Sequence, residues 1–202
     1  MKHDFNKIEI YGYWGLIKLF LNLIRTRVVY SKVRIIRFPI EIRGRKYIDF
    51  GSGLTTGVNC RIEAYPTLFK QKIIKFGKNV EINDFVHIAG IKSILIGDNV
   101  LIASKVFISD IQHGNYSGVL PHDSPNTIPS KRKLYSKNVV IGDNVWIGES
   151  VSILAGVTIG KGTIIGSNSV VSKSLPENVI AVGIPAIPVK KYNFECQKWE
   201  NV

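Results

Sequence analysis

Residues 141–176 read IGDNVW, IGESVS, ILAGVT, IGKGTI, IGSNSV and VSKSLP, which are six consecutive hexads. The first position is aliphatic throughout, namely Ile141, Ile147, Ile153, Ile159, Ile165 and Val171. The fourth position carries residues that tolerate tight or left-handed backbone, namely Asn144, Ser150, Gly156, Gly162, Asn168 and Ser174. An α-helix has 3.6 residues per turn and would spread a six-residue period over its whole surface. The pattern therefore predicts short strands joined by corners, stacked into a three-sided prism.

The same period extends toward the N-terminus. Further hexads open at Phe76, Ile82, Ile88, Ile96, Ile102 and Ile108, with a two-residue insertion before Ile96. Ile48, Leu54 and Cys60 fit the phase more loosely, and Cys60 is interpreted as a small buried core residue. Fifteen hexads cover most of residues 48–176, which predicts five coils of three sides each.

Composition narrows the class of protein. The chain has 202 residues, of which 45% are hydrophobic, and its 27 basic and 15 acidic residues give a net charge of +12. Two cysteines argue against a disulfide-stapled domain and a multi-cysteine metal site. No nucleic-acid motif accompanies the charge, so no nucleic-acid partner is expected. Because no secretory signal is evident in residues 1–9, we expect a cytoplasmic protein.

Residues 1–47 form a basic segment with a predicted amphipathic helix at residues 11–30, which read YGYWGLIKLFLNLIRTRVVY. Lys18, Asn22 and Arg25 make a narrow polar stripe on that helix. Eleven basic residues and four acids lie within residues 1–50, which places a charge of +7 there. One interpretation is a helix that packs on the rest of the protein or on a sister subunit. The other is a peripheral contact with an anionic membrane surface, at the inner face of the cytoplasmic membrane.

One segment interrupts the repeat. Residues 114–138, GNYSGVLPHDSPNTIPSKRKLYSKN, have no aliphatic period and leave the prism directly after His113. Excursions of this length are usually functional when a compact fold retains them. We therefore divide the chain into the segment 1–47, a β-helix domain at 48–192 with a loop at 114–138, and a tail at 193–202.

The hexads, the loop after a histidine and the closing AVGIPA resemble the hexapeptide-repeat acyltransferases. The tract RFPIEIRGRKYIDFG, with INDFVHIA and IGDNVLIASKVFISDIQHG, is most similar to lipopolysaccharide or O-antigen O-acetyltransferases. The resemblance implies an all-β, left-handed parallel β-helix, a homotrimer and acetyl-CoA bound between subunits, with no metal. It also implies acetyl transfer to a sugar hydroxyl of a bacterial surface glycan, such as O-antigen or capsule, on a glycan or lipid-linked oligosaccharide acceptor.

The resemblance also assigns catalytic residues. His113 matches the family's catalytic histidine, and a neutral imidazole can accept the hydroxyl proton. Asn83 in INDFVH matches an asparagine that contacts the acceptor hydroxyl, although it also suits an ordinary corner. Asp110 either orients the His113 ring or caps backbone amides at a corner. His87 and His122 are weaker candidates for the base.

The same comparison places coenzyme A along the last coils and the tail. Trp146 matches an aromatic residue that lines the cleft. The other matching residues are Ser167, Ser172, Lys173, Gly183, Ile184, Pro185 and Ala186. Lys190 and Lys191 follow and are suited to pairing with the coenzyme A phosphates.

Two alternative functions remain open from the sequence. A nucleotide-sugar or amino-sugar N-acetyltransferase would share the solenoid and the base. A non-enzymatic solenoid is disfavoured by the loop and the irregular surface. A zinc site built from His87, His113 and His122 is rejected on their spacing.

Overall fold

The computed structural model describes residues 7–65, 71–116, 118 and 121–202. Helix α1 covers Lys7–Val29 with a break at Gly12, and 3-10 turns cover Arg45–Tyr47 and Pro129–Lys131. The strands are β1 Ile35–Ile36, β2 Ile40–Arg43, β3 Ile48–Asp49, β4 Thr55–Thr56, β5 Cys60–Ala64, β6 Ile74–Phe76, β7 Glu81–Ile82, β8 His87–Gly90, β9 Ile94–Ile96, β10 Leu101–Ile102, β11 Phe107–Ser109, β12 Ile111–His113, β13 Leu134–Ser136, β14 Val139–Ile141, β15 Trp146–Ile147, β16 Ser152–Ile153, β17 Thr158–Ile159, β18 Ile164–Ile165, β19 Val170–Val171, β20 Val179–Gly183, β21 Ala186–Asn193 and β22 Lys198–Asn201.

Three parallel sheets form the sides of a prism. Face A contains β1, β4, β7, β10, β15, β18 and β20; face B contains β2, β5, β8, β11, β16 and β19; face C contains β3, β6, β9, β14 and β17. Each strand pairs with the strand one coil away, as in the register of Ile102 with Ile82 and Ile147. The inward side chains stack into one aliphatic core. The antiparallel strands β21 and β22 extend face A at the C-terminal end.

The structure confirms the hexad interpretation of residues 141–176. All six first-position side chains are buried. Five of the six fourth-position residues have positive φ, with values of 57, 59, 89, 67 and 60° for Asn144, Ser150, Gly156, Gly162 and Asn168. The corners therefore require the left-handed backbone that these residue types supply at low cost.

The phase predicted for the early hexads was wrong by two residues. Thr56 and Ile62 are the residues that stand in register with Ile82 and Ile88. Leu54 and Cys60 are buried two positions earlier, at the fifth position of the preceding hexad. Because the first and fifth positions both face the core, a polar Thr56 at the first position conceals the true phase. Cys60 is buried as expected, and that burial raises the pKa of its thiol.

The prism begins earlier than the sequence division at residue 48. Strands β1 and β2 pair in parallel with β4 and β5, so residues from Ile35 onward belong to the first coil. Face B accordingly has six strands, compared with the five coils expected. The predicted insertion before Ile96 lies in the turn between β8 and β9, at residues 91–93.

Helix α1 is attached to the first coil by its C-terminal end. The buried Thr26 hydroxyl accepts a hydrogen bond from the Ile36 amide at 2.9 Å, and Arg45 donates to the Val29 carbonyl at 2.6 Å. Lys18 and Asn22 from the polar stripe line a groove against the prism. Large apolar side chains point outward instead, including Tyr13, Trp14 and Phe20. Over the described ranges, no helix combines the length and apolar character needed to cross a membrane.

Candidate active site

The chain leaves the prism after Asp110, three residues earlier than the break in the period predicted, and His113 lies on the hairpin that follows. Strand β12 pairs antiparallel with β13, and His113 stands opposite Leu134. The Tyr116 hydroxyl donates to the His113 carbonyl at 2.7 Å, and Arg132 Nη1 donates to that hydroxyl at 2.6 Å. The His113 side chain is exposed. The loop thus holds the backbone of His113 while its imidazole faces solvent.

Asp110 is fully buried at the foot of the same hairpin. Its carboxylate accepts hydrogen bonds from the amides of Ile91, Lys92 and Ser93 at 2.9, 2.8 and 2.7 Å. Its own carbonyl accepts from the Lys137 amide at 3.1 Å. This geometry supports the capping interpretation of Asp110, because both carboxylate oxygens accept hydrogen bonds from the turn at residues 91–93 of the coil below.

Asn83 lies at the corner between faces A and B, and its side chain is exposed. The Asn83 amide donates to the Ile102 carbonyl at 2.8 Å, and the Cys60 thiol donates to the Asn83 carbonyl at 3.1 Å. Within one chain, Asn83 precedes the face B strand β8, whereas His113 follows the face B strand β11. The two residues therefore lie at opposite ends of face B.

Phe85, two residues after Asn83, was not singled out from the sequence. It is 55% exposed and has a φ of 59°. A bulky side chain in this region is unusual, whereas Asn59 at the corner one coil below is a residue type that adopts it readily. The sequence signal was an aromatic residue at a corner position where the other left-handed corners of the hexads have Asn, Gly or Ser, apart from Lys105.

His87 belongs to an ion cluster on face B that the sequence analysis also missed. The buried Glu63 carboxylate contacts His87 Nε2 at 2.9 Å, Arg61 Nε at 3.0 Å and Arg43 Nη1 at 2.6 Å, and the Tyr65 hydroxyl donates to it at 2.8 Å. Burial favours a raised pKa for Glu63, but the hydrogen bonds from Tyr65 and His87 and the charges of Arg61 and Arg43 outweigh it and lower that pKa. His87 is therefore bound within this ion cluster. His122 is exposed on the loop. His3 lies outside the described residues.

Trp146 stands on the outer side of face A and is half exposed. In register with it, outward residues form a column that runs from Glu81 through Leu101, Trp146, Ile164 and Ile180 to Lys190. The column is apolar in the middle and basic at the C-terminal end. It suits a long arm with an anionic terminus.

The other residues assigned to coenzyme A fall into separate places. Gly183, Ile184 and Pro185 form the exposed turn between β20 and β21, and Ala186 is buried beside them. Lys190 and Lys191 follow on β21 and are exposed. Ser167 is at the corner of faces A and B, where its Oγ accepts from the Glu149 amide at 3.2 Å. Ser172 and Lys173 follow β19 at the opposite end of face B, so one chain does not bring all these residues together.

Among residues 7–65, 71–116, 118 and 121–202, no three His, Cys, Asp or Glu side chains are grouped as metal ligands would be.

A family described as bacterial transferase hexapeptide (six repeats) matches residues 138–173. The chain is 48% identical over 190 residues to WbbJ of Escherichia coli (strain K12), whose name assigns it to lipopolysaccharide biosynthesis as an O-acetyl transferase. The match covers 94% of this chain and 95% of WbbJ.

Two solved structures are similar in fold. AntD, an N-acyltransferase from Bacillus cereus in complex with dTDP and 3-hydroxybutyryl-CoA, has a TM-score of 0.63 at 22% identity, over 81% of this chain and 82% of that one. WeeI from Acinetobacter baumannii AYE has a TM-score of 0.52 at 21% identity, over 76% of this chain and 57% of that one. With the repeat and the three parallel sheets, they establish a left-handed parallel β-helix.

Proposed function

The chain belongs to the bacterial hexapeptide-repeat transferases, and from that membership we propose that it is an acetyl-CoA-dependent O-acetyltransferase. The acceptor is a sugar hydroxyl of a bacterial surface glycan, in O-antigen or capsule assembly. The 48% identity to WbbJ over nearly the full length of both chains carries this proposal. The exposed imidazole of His113 on the hairpin supplies the base that the reaction needs.

In the proposed reaction, His113 accepts the proton of the sugar hydroxyl while the hydroxyl oxygen attacks the thioester carbonyl carbon. A donor such as the Asn83 side-chain amide holds the hydroxyl or stabilises the tetrahedral oxyanion. The intermediate then expels the coenzyme A thiolate, which takes the proton back from the His113 imidazolium. One ester forms, one thioester breaks, and no covalent enzyme intermediate is needed.

Acetyl-CoA fits the column on face A. Leu101, Trp146, Ile164 and Ile180 offer apolar contact to the pantetheine arm. Lys190, with the nearby Lys191, offers cations to the phosphates at the far end. The turn at residues 183–186 lies in the same extension of face A and supports the adenine end.

The active unit is a homotrimer in this proposal. Asn83 and His113 lie at opposite ends of face B in one chain, so a shared acceptor site requires them from different subunits. A cyclic trimer would place the Asn83 corner of one subunit beside the His113 hairpin of the next. Light scattering tests this directly, and a monomer at micromolar concentration contradicts it.

In this proposal the protein also binds peripherally to the inner face of the cytoplasmic membrane. Trp14 and Phe20 are exposed on α1, and residues 1–50 carry a net charge of +7, a combination that favours anionic lipid surfaces. Replacing Trp14 and Phe20 together with Glu should release the protein from anionic vesicles in a flotation assay. If these substitutions instead dissociate the trimer, the helix packs on a sister subunit.

The test of the function follows thiol release from acetyl-CoA with glycan acceptors. The His113→Asn variant should lose ~10²–10⁴-fold in turnover, because Asn cannot act as a base. His122→Asn, on the same loop, is the matched control and should retain parental turnover. Activity of His113→Asn within a few-fold of the parent contradicts the assignment. Faster transfer to amino sugars than to neutral glycans would favour N-acetylation.

A further inference from the structure

A groove of about 410 Å³ separates helix α1 from the corner of faces A and B in the first two coils. Pockets that bind small molecules range over roughly 300–1,000 Å³. One wall is the inner side of α1, with Leu19 and Lys18. The other wall is made by Arg37, Phe38 and Val58.

The lining combines apolar surface with positive charge. Leu19, Phe38 and Val58 are half-buried apolar side chains. The Arg37 guanidinium donates to the Thr56 carbonyl at 3.0 Å, which fixes its position, and Lys18 stands on the opposite wall. No acidic side chain occurs among the described residues that line the groove. Such a lining is complementary to an apolar chain that carries an anionic group.

The groove is next to the proposed acceptor corner. The Val58 carbonyl accepts from the Phe85 amide at 3.0 Å, and the Val58 amide donates to Asp84 at 2.8 Å. The groove wall is therefore one coil, about 4.8 Å, below the turn that carries Asn83. A ligand that fills the groove and extends toward the C-terminal coils reaches Asn83 first.

We propose that this groove binds the lipid end of the acceptor, an apolar chain whose phosphate pairs with Lys18 and Arg37. The assignment of that lipid to an acceptor glycan rests on the proposed acetyl transfer. Lipid binding itself is measured without acetyl-CoA, so its failure is distinct from failure of the proposed function. The glycan attached to the phosphate would then lie along the corner toward Asn83.

The experiment is calorimetric titration of the full chain with three probes, of which the two dodecyl compounds are kept below their critical micelle concentrations. Dodecyl phosphate carries the chain and the charge, dodecyl maltoside carries the chain with an uncharged sugar head group, and inorganic phosphate carries the charge alone. We expect dodecyl phosphate to bind about tenfold more tightly than dodecyl maltoside. Inorganic phosphate should bind far more weakly than either. Equal affinity for inorganic and dodecyl phosphate would assign the site to free phosphate and overturn the proposal.

Variants of neighbouring residues locate the binding. Lys18→Gln should remove most of the preference for dodecyl phosphate over dodecyl maltoside while leaving dodecyl maltoside affinity within about twofold. Leu19→Glu should weaken the binding of dodecyl phosphate and of dodecyl maltoside by about tenfold or more, because it puts a carboxylate in the apolar wall. Val28→Glu is the control, since Val28 is exposed on the same helix and does not line the groove, and it should bind dodecyl phosphate and dodecyl maltoside as the parent does.

Two results would overturn the proposal. If Lys18→Gln and Leu19→Glu bind dodecyl phosphate as tightly as the parent, the lipid binds elsewhere. If Leu19→Glu changes the oligomeric mass measured by light scattering, the groove is an interface between copies of this chain. The Lys18→Gln result stands even if Leu19→Glu does not fold, because Lys18 is exposed.

Discussion

Replacing Asp110 with Ala should destabilise the protein strongly without altering the pH dependence of catalysis. The carboxylate is fully buried and accepts three backbone amides, from Ile91, Lys92 and Ser93. Alanine removes every one of these acceptors. The turn at residues 91–93 would lose its attachment to the foot of the His113 hairpin.

The size of the effect follows from the burial of the three amides. The Ile91 amide lies in a buried bond, so leaving it unsatisfied costs about 1–3 kcal/mol. The bonds of Lys92 and Ser93 are only partly buried, and water can replace the acceptor there, at about 0.5–1.5 kcal/mol each. The total is about 4 kcal/mol, which corresponds to a fall in Tm of roughly 8–16 °C for a chain of this size.

The assay is thermal unfolding followed by circular dichroism. Asp143→Ala is the matched control, because the Asp143 carboxylate accepts the exposed Asp98 amide at 2.7 Å, and its loss should cost about 1 kcal/mol or less. Activity of folded Asp110→Ala at low temperature should show the parental pH profile. An unchanged Tm together with a shifted pH profile would refute this reasoning and make Asp110 a residue that orients His113.

Three further outcomes are expected. Trp146→Ala should raise the KM for acetyl-CoA, whereas Trp146→Phe should have a KM close to that of the parent. An unchanged KM for Trp146→Ala in steady-state kinetics would show that Trp146 does not line the cleft. Because its partners lower the pKa of Glu63, its stabilisation is present at neutral pH and is lost as pH falls through that lowered pKa. Urea unfolding at a series of pH values should therefore show a smaller acid loss of stability for Glu63→Gln than for the parent, and equal losses would contradict the cluster's role. Phe85→Asn should raise stability by about 1 kcal/mol, since it relieves a left-handed aromatic residue; a lower Tm in thermal unfolding would show that contacts of the ring outweigh the strain.

The sequence alone determined the repeating part of the fold. A period of six with aliphatic first positions specifies which side chains face the core, and Asn or Gly at fourth positions specifies left-handed corners. Both are local properties, readable within one hexad, so the block from Ile141 to Val171 was interpreted correctly. The break in the period also located the excursion approximately, although the chain leaves the prism after Asp110 and His113 lies on the hairpin strand β12.

Only the tertiary structure decided features that depend on register between coils. The phase of the first coils needed the pairing of Thr56 with Ile82, because two positions of each hexad are buried alike. The Asp110 carboxylate accepts a hydrogen bond from the Ser93 amide, seventeen residues away in the sequence, and His87 contacts Glu63, twenty-four residues away. Contacts between residues this far apart cannot be inferred from the pattern within one hexad. The side of α1 that faces the prism likewise follows from the anchoring of Thr26 to Ile36, a contact between elements that no helical pattern contains.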